Sequence, residues 1–187
     1  PMARMQLGIL ISGRGSNMKA LIDACAQADY PAEIALVISN VAMAGGLETA
    51  RNAGIKTMVI DHKAYENRAE FERDIDSALH DHGVELVCLA GFMRLLDEDF
   101  VKRWHDRMIN IHPSLLPSYR GLKTHERVLE DGVRFTGCTV HYVRPQMDEG
   151  PIIMQAVVPI DEQDTAQSLA RRVLSYEHTL YVESVRL

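Results

Sequence analysis

The side chains in this sequence that are best suited to catalysis are an amide and an imidazole, Asn110 and His112. They close a short apolar run, 108–111, that is typical of a buried strand. Side chains two apart in a strand point to the same face, and Pro113 restricts His112 to extended backbone. An amide and an imidazole on one face can donate to one oxygen atom, which stabilises an oxyanion in acyl transfer. The alternative is a polar strand end followed by a proline-rich turn.

A glycine-rich turn, 13–17, lies between an apolar run at 6–12 and a segment predicted to be helical over 17–28. Strand, glycine turn and helix N-terminus together place main-chain N–H groups around a compact anion. The P-loop pattern G-x-x-x-x-G-K-[ST] is absent, and the turn is not a dinucleotide fingerprint because Met18 occupies the position of the third glycine. A tight connection without a ligand is the alternative.

The segment 91–96 follows a predicted strand at 85–90 and combines apolar side chains with free main-chain groups. Open α/β sheets bind ligands beyond the carboxyl ends of their strands, and such a segment suits a flat heterocycle. An apolar loop packed on a helix is the alternative. Arg68 lies in the first turn of a helix predicted over 65–82, where a solvated charge is the simplest interpretation.

The loop 144–151, between predicted strands at 134–143 and 152–160, contains the acids Asp148 and Glu149. Acids before a Gly-Pro pair are ordinary turn residues. The sequence by itself therefore gives this loop no more than a structural interpretation.

Thr139 and His141 share one face of the predicted strand at 134–143. His141 is a candidate to position an active-site side chain without contacting the substrate itself. A structural histidine with satisfied hydrogen bonds is the alternative.

Strand and helix patterns alternate along the chain, which predicts an α/β fold with a doubly wound, mainly parallel sheet and helices on both faces. The strands at 134–143 and 152–160 are close enough in sequence to form an antiparallel pair near the C-terminus. The last helix is predicted to begin at a capping box of Asp164 and Gln167. We expect one domain, 1–187, with its site across the carboxyl ends of the first, fourth and fifth strands.

Composition argues against several classes of partner. The net charge of −6 gives no footprint for nucleic acid or for an anionic membrane surface. The three cysteines are far apart in apolar runs, which is typical of reduced core residues and not of disulfides or a metal site. No apolar stretch reaches the length of a membrane span, and we expect no signal peptide before the first strand. We expect a cytoplasmic protein without metal, nucleic-acid or membrane partners.

The phrase Asn-x-His-x-Ser-Leu-Leu-Pro, from Asn110 to Pro117, resembles the signature of the folate-dependent formyltransferases. The resemblance extends from Gly8 to about Glu183. It implies transfer of a formyl group from the co-substrate 10-formyltetrahydrofolate to the amine of glycinamide ribonucleotide, in de novo purine biosynthesis. Both partners would be small molecules, and we expect a monomer or a weak homodimer.

The resemblance also implies roles for three groups of residues. The catalytic residues are Asn110, His112 and Asp148. Thr139 and His141, which share a strand face, are the candidates to support them independently of the resemblance. The residues that bind the ribonucleotide are Gly15, Ser16 and Asn17 at its phosphate and Glu177 at its ribose hydroxyls. The residues that bind the folate are Arg68, Met93, Arg94, Leu95, Leu96 and Asn110, with the 93–96 segment acting through its main chain.

In the reaction that this resemblance implies, the amine attacks the formyl carbon and a tetrahedral oxyanion forms. Asn110 and protonated His112 donate to the oxyanion, while Asp148 orients His112 and helps to move the proton from the amine. The amine is already a nucleophile, so no covalent enzyme intermediate is needed. Ser114 and Ser118 are therefore expected to be structural or to contact substrate.

Three other functions stay open. A formyltetrahydrofolate hydrolase uses the same Asn-His-Asp set with water as the nucleophile, and the formyltransferase of initiator methionyl-tRNA shares Ser-Leu-Leu-Pro. Proteins of both kinds usually carry an additional domain, which a chain of one domain would lack. The third function is a nucleotide-binding module without activity, and the presence of Asn110, His112 and Asp148 together argues against it.

Overall fold

The computed structural model describes residues 3–187, which form one seven-stranded sheet and six α-helices. The strands are β1 (Met5–Ile11), β2 (Ala32–Ser39), β3 (Thr57–Val59), β4 (Leu86–Leu89), β5 (Met108–His112), β6 (Phe135–Tyr142) and β7 (Ile152–Pro159). The helices are α1 (Ser16–Cys25), α2 (Gly45–Asn52), α3 (Arg68–Asp81), α4 (Glu98–Arg103), α5 (Thr124–Asp131) and α6 (Ala166–Arg186). No helix within 3–187 has the length and apolar character needed to cross a membrane.

The strand order of the sheet is β3-β2-β1-β4-β5-β6-β7. Strands β1 to β5 are parallel, β6 pairs antiparallel with β5, and β7 pairs antiparallel with β6. The predicted mainly parallel, doubly wound sheet with an antiparallel pair near the C-terminus is thus confirmed. The direction of winding reverses between β1 and β4, so the carboxyl ends of these strands form the crevice where open α/β sheets bind ligands.

Apolar side chains cover both faces of the sheet, because successive side chains of a strand point to opposite faces. Within β1, Ile9 belongs to one core and Leu10 to the other. Helices α1 and α6 contribute to the first core, where Leu21 is fully buried. Helices α3 and α4 contribute to the second, where Phe71 is almost fully buried. The helices therefore pack on both faces and hold the carboxyl ends of the strands in a fixed arrangement.

Two predicted helix boundaries were wrong by about one turn. Helix α1 ends at Cys25, before the predicted limit of 28. Helix α3 begins at Arg68 and not at 65, because the side chain of Asn67 caps it by accepting the Glu70 N–H at 2.9 Å. Residues His62–Ala64 form a separate 3₁₀ turn before this cap.

The capping box of α6 lies one residue beyond the predicted position. The hydroxyl of Thr165, in extended backbone, accepts the Ser168 N–H, and the hydroxyl of Ser168 accepts the Thr165 N–H. Asp164 accepts instead from Arg172 at 2.7 Å, and this guanidinium holds the pKa of Asp164 well below its usual range. Within 3–187 Gln167 makes no side-chain hydrogen bond, so the predicted pair of Asp164 and Gln167 was wrong.

Candidate active site

Asn110 and His112 lie at the end of β5, and antiparallel pairing with β6 sets His141 opposite the first and Thr139 opposite the second. Directly opposed residues in an antiparallel pair project to the same face of the sheet. His112, His141 and Thr139 are all buried. Two strands therefore bring these four side chains together, as the spacing of Asn110 and His112 predicts for β5.

Both ring nitrogens of His112 face oxygen atoms of the protein. Nε2 lies 2.8 Å from the main-chain oxygen of Tyr119, and Nδ1 lies 3.4 Å from Oδ2 of Asp148. A carbonyl oxygen only accepts, so Nε2 donates the hydrogen bond to Tyr119, while Nδ1 faces the Asp148 carboxylate. His112 can therefore donate to a ligand through Nε2 only after releasing the Tyr119 oxygen.

Asp148 lies in the loop between β6 and β7, with a side chain that is only 8% exposed. Its Oδ2 accepts the Gly121 N–H at 2.9 Å, and its Oδ1 lies 3.9 Å from Nε2 of His141. Its φ of 56° is unusual for a residue with a side chain and persists only where surrounding contacts enforce it. One carboxylate thus connects the His112 ring to the loop that follows β5.

His141 fixes the orientation of the Asn110 amide. Burial lowers the pKa of His141, although the Tyr142 carbonyl and Asp148 act in the opposite direction. In the neutral ring, Nδ1–H donates to the main-chain oxygen of Tyr142 at 3.0 Å, which leaves Nε2 as an acceptor. The Nδ2 of Asn110 lies 3.4 Å from that acceptor. One amide N–H of Asn110 is thereby engaged, and the other stays available to a ligand.

Thr139 fixes the path of the chain after His112. Its hydroxyl donates to the main-chain oxygen of Ser114 at 2.7 Å and accepts the Leu116 N–H at 3.1 Å. The amide of Gln155 donates to the same hydroxyl at 3.1 Å. The sequence analysis missed Gln155, whose only signal is that it is the single polar side chain of the apolar strand β7.

A cavity of about 470 Å³ opens beside these residues at the carboxyl ends of β4 and β5. The lining residues that the sequence analysis singled out are Arg68, Arg94, Leu95, Leu96, Asn110, His141 and Asp148. The side chain of Met93 does not line the cavity and is 74% exposed. The volume lies in the range of pockets for small organic ligands, and the lining combines apolar side chains with a few polar groups, as such pockets do.

The glycine-rich turn lies beyond β1, on the other side of β4 from the Asn110 strand. Gly15 has a left-handed φ of 65° and immediately precedes α1, whose first residue is Ser16. A Cβ at Gly15 would lie 3.2 Å from the Sδ-bound methyl carbon, Cε, of Met18. Backbone conformation and space therefore both favour glycine here, at a helix N-terminus that could bind an anion.

Asn17 and Glu177 form a buried pair between α1 and α6. Nδ2 of Asn17 donates to Oε1 of Glu177 at 3.2 Å, while Oδ1 of Asn17 is buried and has no partner within 3–187. Burial raises the pKa of Glu177 to about 7, partly offset by this hydrogen bond. The amide predicted to bind phosphate thus contacts the carboxyl predicted to bind ribose, and Asn17 keeps one polar atom unsatisfied.

Comparison with known proteins identifies the family. Residues 5–185 match the sequence profile described as Formyl transferase. The chain belongs to the formyl transferase family. It is 42% identical over 177 residues to phosphoribosylglycinamide formyltransferase of Escherichia coli (strain K12), covering 95% of this chain and 84% of that protein.

Longer relatives contain the same domain. The chain is 48% identical over 184 residues to the human trifunctional purine biosynthetic protein adenosine-3, covering 98% of this chain and 18% of that protein. It therefore spans less than a fifth of the length of that relative. Among solved structures, phosphoribosylglycinamide formyltransferase from Brucella melitensis aligns with a TM-score of 0.95 and 48% identity, covering 98% of this chain and 94% of that one.

A formyltetrahydrofolate deformylase from Burkholderia mallei also shares the fold. Its structure aligns with a TM-score of 0.89 at 27% identity, covering 98% of this chain and 64% of the deformylase. Both the identity and the shared length are lower than for the Brucella protein. By both measures the chain is more similar to the Brucella formyltransferase than to this deformylase.

We expect Glu177→Gln to remove a pH-dependent loss of stability from this protein. The pKa of this carboxyl rises from 4.5 to about 7 on folding. Its contribution to stability is fully present at pH values below 4.5, the pKa in the unfolded chain, and is lost as the pH rises through 7. The difference in free energy of unfolding, variant minus wild type, should therefore increase by on the order of 2 kcal/mol between about pH 5 and about pH 8.

Denaturant unfolding of both proteins across this pH range measures the difference. The matched control is Glu183→Gln, on the same helix but half-exposed and paired with Arg186 at 3.8 Å. Its stability should differ from wild type by a nearly constant amount at all pH values. A Glu177→Gln curve that runs parallel to the wild-type curve would contradict the prediction.

Proposed function

We propose that this chain transfers a formyl group from 10-formyltetrahydrofolate to the amine of glycinamide ribonucleotide, in de novo purine biosynthesis. The observation that carries the proposal is the convergence of Asn110, His112 and Asp148, two of which, Asn110 and Asp148, line a cavity of about 470 Å³. The named activity of the relatives from Escherichia coli and Brucella melitensis supports the same assignment. We further propose a single domain, 1–187, that works in the cytoplasm as a monomer or weak homodimer; its three free thiols suit a reducing compartment.

The chemical step forms one bond and breaks another. The amine nitrogen of the ribonucleotide attacks the formyl carbon, and the carbonyl electron pair moves to oxygen to give a tetrahedral oxyanion. The bond from the formyl carbon to the folate nitrogen then breaks, and the proton lost by the amine balances the one gained by that nitrogen. Oriented N–H donors stabilise the oxyanion more than the ground-state carbonyl, which lowers the barrier.

Asn110 supplies the first of these donors through the N–H that His141 leaves free. His112 supplies the second, and its Nε2 reaches the oxyanion when the contact with the Tyr119 oxygen is released. The negatively charged Asp148 carboxylate stays beside the other ring nitrogen, Nδ1, during the reaction. It also lies at the cavity edge, where it takes part in moving the proton from the amine, directly or through water.

The folate occupies the cavity in this proposal. Its pterin ring is flat and carries several hydrogen-bonding groups, which match the apolar walls and free main-chain groups of the 91–96 loop. Leu95, Leu96, Arg94 and the N-terminal residue of α3, Arg68, line the same cavity. Met93 contributes through its main chain alone, because its side chain points into solvent.

The ribonucleotide lies across the neighbouring strand β1. Its phosphate is held by main-chain groups of Gly15 and Ser16 at the N-terminus of α1, with Asn17 in the same turn. Its ribose hydroxyls contact Glu177, which Asn17 holds in place. The two substrates thus approach from adjacent strand ends and meet at Asn110.

We expect Gly15→Val to weaken binding of the ribonucleotide selectively. A β-branched residue strains the left-handed conformation and blocks close approach of a phosphate to the backbone. The Michaelis constant for the ribonucleotide should rise roughly tenfold or more, as for loss of about 1.4 kcal/mol of binding. The Michaelis constant for the folate should stay near wild type.

Gly54→Val is the matched control, because Gly54 also has a positive φ but lies at the C-terminal end of α2, away from both substrates. Steady-state kinetics with each substrate varied in turn separate the two effects. Equal weakening of both substrates in Gly15→Val would argue against the phosphate assignment.

The experiment that tests the proposed function follows deformylation of 10-formyltetrahydrofolate by absorbance, with and without glycinamide ribonucleotide. Turnover that depends on the ribonucleotide supports the proposal. Turnover without it identifies a hydrolase, and turnover only with charged initiator tRNA identifies the formyltransferase of initiator methionyl-tRNA. No turnover under any of these conditions identifies a binding module.

A further inference from the structure

The 91–96 loop, which joins β4 to α4, is held by few hydrogen bonds. Its far end is fixed where the Asp97 N–H donates to Oε1 of buried Glu72 at 2.7 Å. Within 91–96 itself, only one main-chain group is hydrogen-bonded to any part of the chain described by the structure. That group is the Met93 N–H, which donates to the hydroxyl of Ser12 at 2.8 Å.

The Ser12 hydroxyl is itself oriented by a second side chain. Ser12 directly follows β1, and its O–H donates to Oδ1 of Asn40, a residue that follows β2 and is 2% exposed. Nδ2 of Asn40 in turn lies 3.3 Å from Nδ1 of His62, which accepts from it. A hydroxyl has a single proton, so donation to Asn40 turns its lone pairs toward the Met93 N–H.

The direction of these bonds is consistent from one end to the other. Met93 donates to Ser12, Ser12 donates to Asn40, and Asn40 donates to His62. Ser12 and Asn40 are each oriented as acceptors by the bond that they themselves donate, which gives the Met93 amide one defined partner. The bonds also join the 91–96 loop to Ser12, the residue immediately before the glycine-rich turn.

We propose that Ser12 is a positioning residue for folate, with Asn40 setting the direction of its hydroxyl. Ser12 fixes the main chain at Met93 so that the remaining N–H and C=O groups of the loop stay unpaired and directed for a planar heterocycle. This inference rests on the proposed function for the identity of the ligand, but the contact itself is a property of the protein alone. Ser12 would also hold the 91–96 loop and the glycine-rich turn in a fixed position relative to each other.

Amide hydrogen exchange by NMR on the ligand-free protein tests the contact. We expect Ser12→Ala and Asn40→Ala to speed exchange of the Met93 amide about tenfold, as loss of one intramolecular hydrogen bond predicts. Ser12→Thr keeps the hydroxyl and should restore protection. Ser39→Ala is the matched control, because Ser39 is a fully buried serine nearby whose hydroxyl, among residues 3–187, hydrogen-bonds to Val41 alone. Unchanged Met93 exchange in both Ser12→Ala and Asn40→Ala overturns the proposal.

Calorimetric titration with tetrahydrofolate tests the consequence for binding. Ser12→Ala should raise its dissociation constant about tenfold, Ser12→Thr much less, and Ser39→Ala not at all. If wild type binds no tetrahydrofolate while Met93 exchange still responds to Ser12→Ala, the folate assignment fails and the contact stands. If wild type binds and Ser12→Ala binds equally well, Ser12 does not position folate.

Discussion

We expect Asp148→Asn to lower turnover by roughly 10²–10⁴, the range typical of losing an acid–base partner. Asparagine keeps the shape of the side chain and one carbonyl oxygen that can accept the Gly121 N–H, but it removes the negative charge 3.4 Å from Nδ1 of His112. The imidazolium that donates to the oxyanion then loses its counter-charge, and the amine loses its proton acceptor. The Michaelis constants of both substrates should change far less than turnover.

Glu149→Gln is the matched control for this prediction. Glu149 is the neighbouring acid, but its side chain is 47% exposed and lies 3.7 Å from Arg120 at the surface. Removing its charge should leave turnover close to wild type. Equal losses in the two variants would show that the loop needs negative charge in general, and a near-normal rate in Asp148→Asn would remove Asp148 from the mechanism.

The second large effect is expected for Asn110→Ala, which should lower turnover by on the order of 10²–10³, as for loss of one oxyanion donor. The lost donor is the amide N–H that the contact with His141 leaves free. Single-turnover rates measured with both substrates bound isolate the chemical step from binding. Dissociation constants for the folate should stay within a few-fold of wild type, since the donor acts mainly on the transition state.

Asn52→Ala serves as the control for the substitution itself, because Asn52 is an exposed amide in the last turn of α2. It should change neither rate nor binding. If the single-turnover rate of Asn110→Ala stays near wild type, the oxyanion must be stabilised by other groups.

The sequence was sufficient to predict the fold because its hydrophobic pattern marks both the strands and the helices clearly. Continuous apolar strands alternate with amphipathic helices, and the short span between β6 and β7 requires an antiparallel pair. The pairing of Asn110 and His112 on one face follows from strand geometry alone. Boundaries were less predictable, because Asp164 and Thr165 are both good caps and only the extended backbone of Thr165 decides between them.

The contacts that complete the site were beyond sequence reasoning because they join distant parts of the chain. Asp148 reaches His112 only because the β6–β7 loop folds back over β5, and only the family resemblance anticipated it. The bond between Ser12 and Met93 spans 81 positions, and that between Asn17 and Glu177 spans 160. No local pattern encodes such pairs.

The engagement of both His112 nitrogens was likewise unpredictable. The Tyr119 oxygen reaches Nε2 from a turn in which Tyr119 has a φ of 56°, a conformation that side-chain-bearing residues rarely adopt. The Ser114 hydroxyl donates to the same segment, at the Ser118 oxygen, and helps to fix this geometry. The expected role of Ser114 as a structural residue stays a prediction that fits this contact.

The fate of the formyl carbon tests the central claim most directly. The folate is supplied with a carbon-13 label in its formyl group, together with saturating glycinamide ribonucleotide, and the products are followed by NMR. The proposed mechanism predicts that the label appears in the formamide group of the ribonucleotide and that free formate stays at the level of an enzyme-free control. Label released as formate in the presence of the ribonucleotide would contradict it, because water and not the amine would then be the nucleophile.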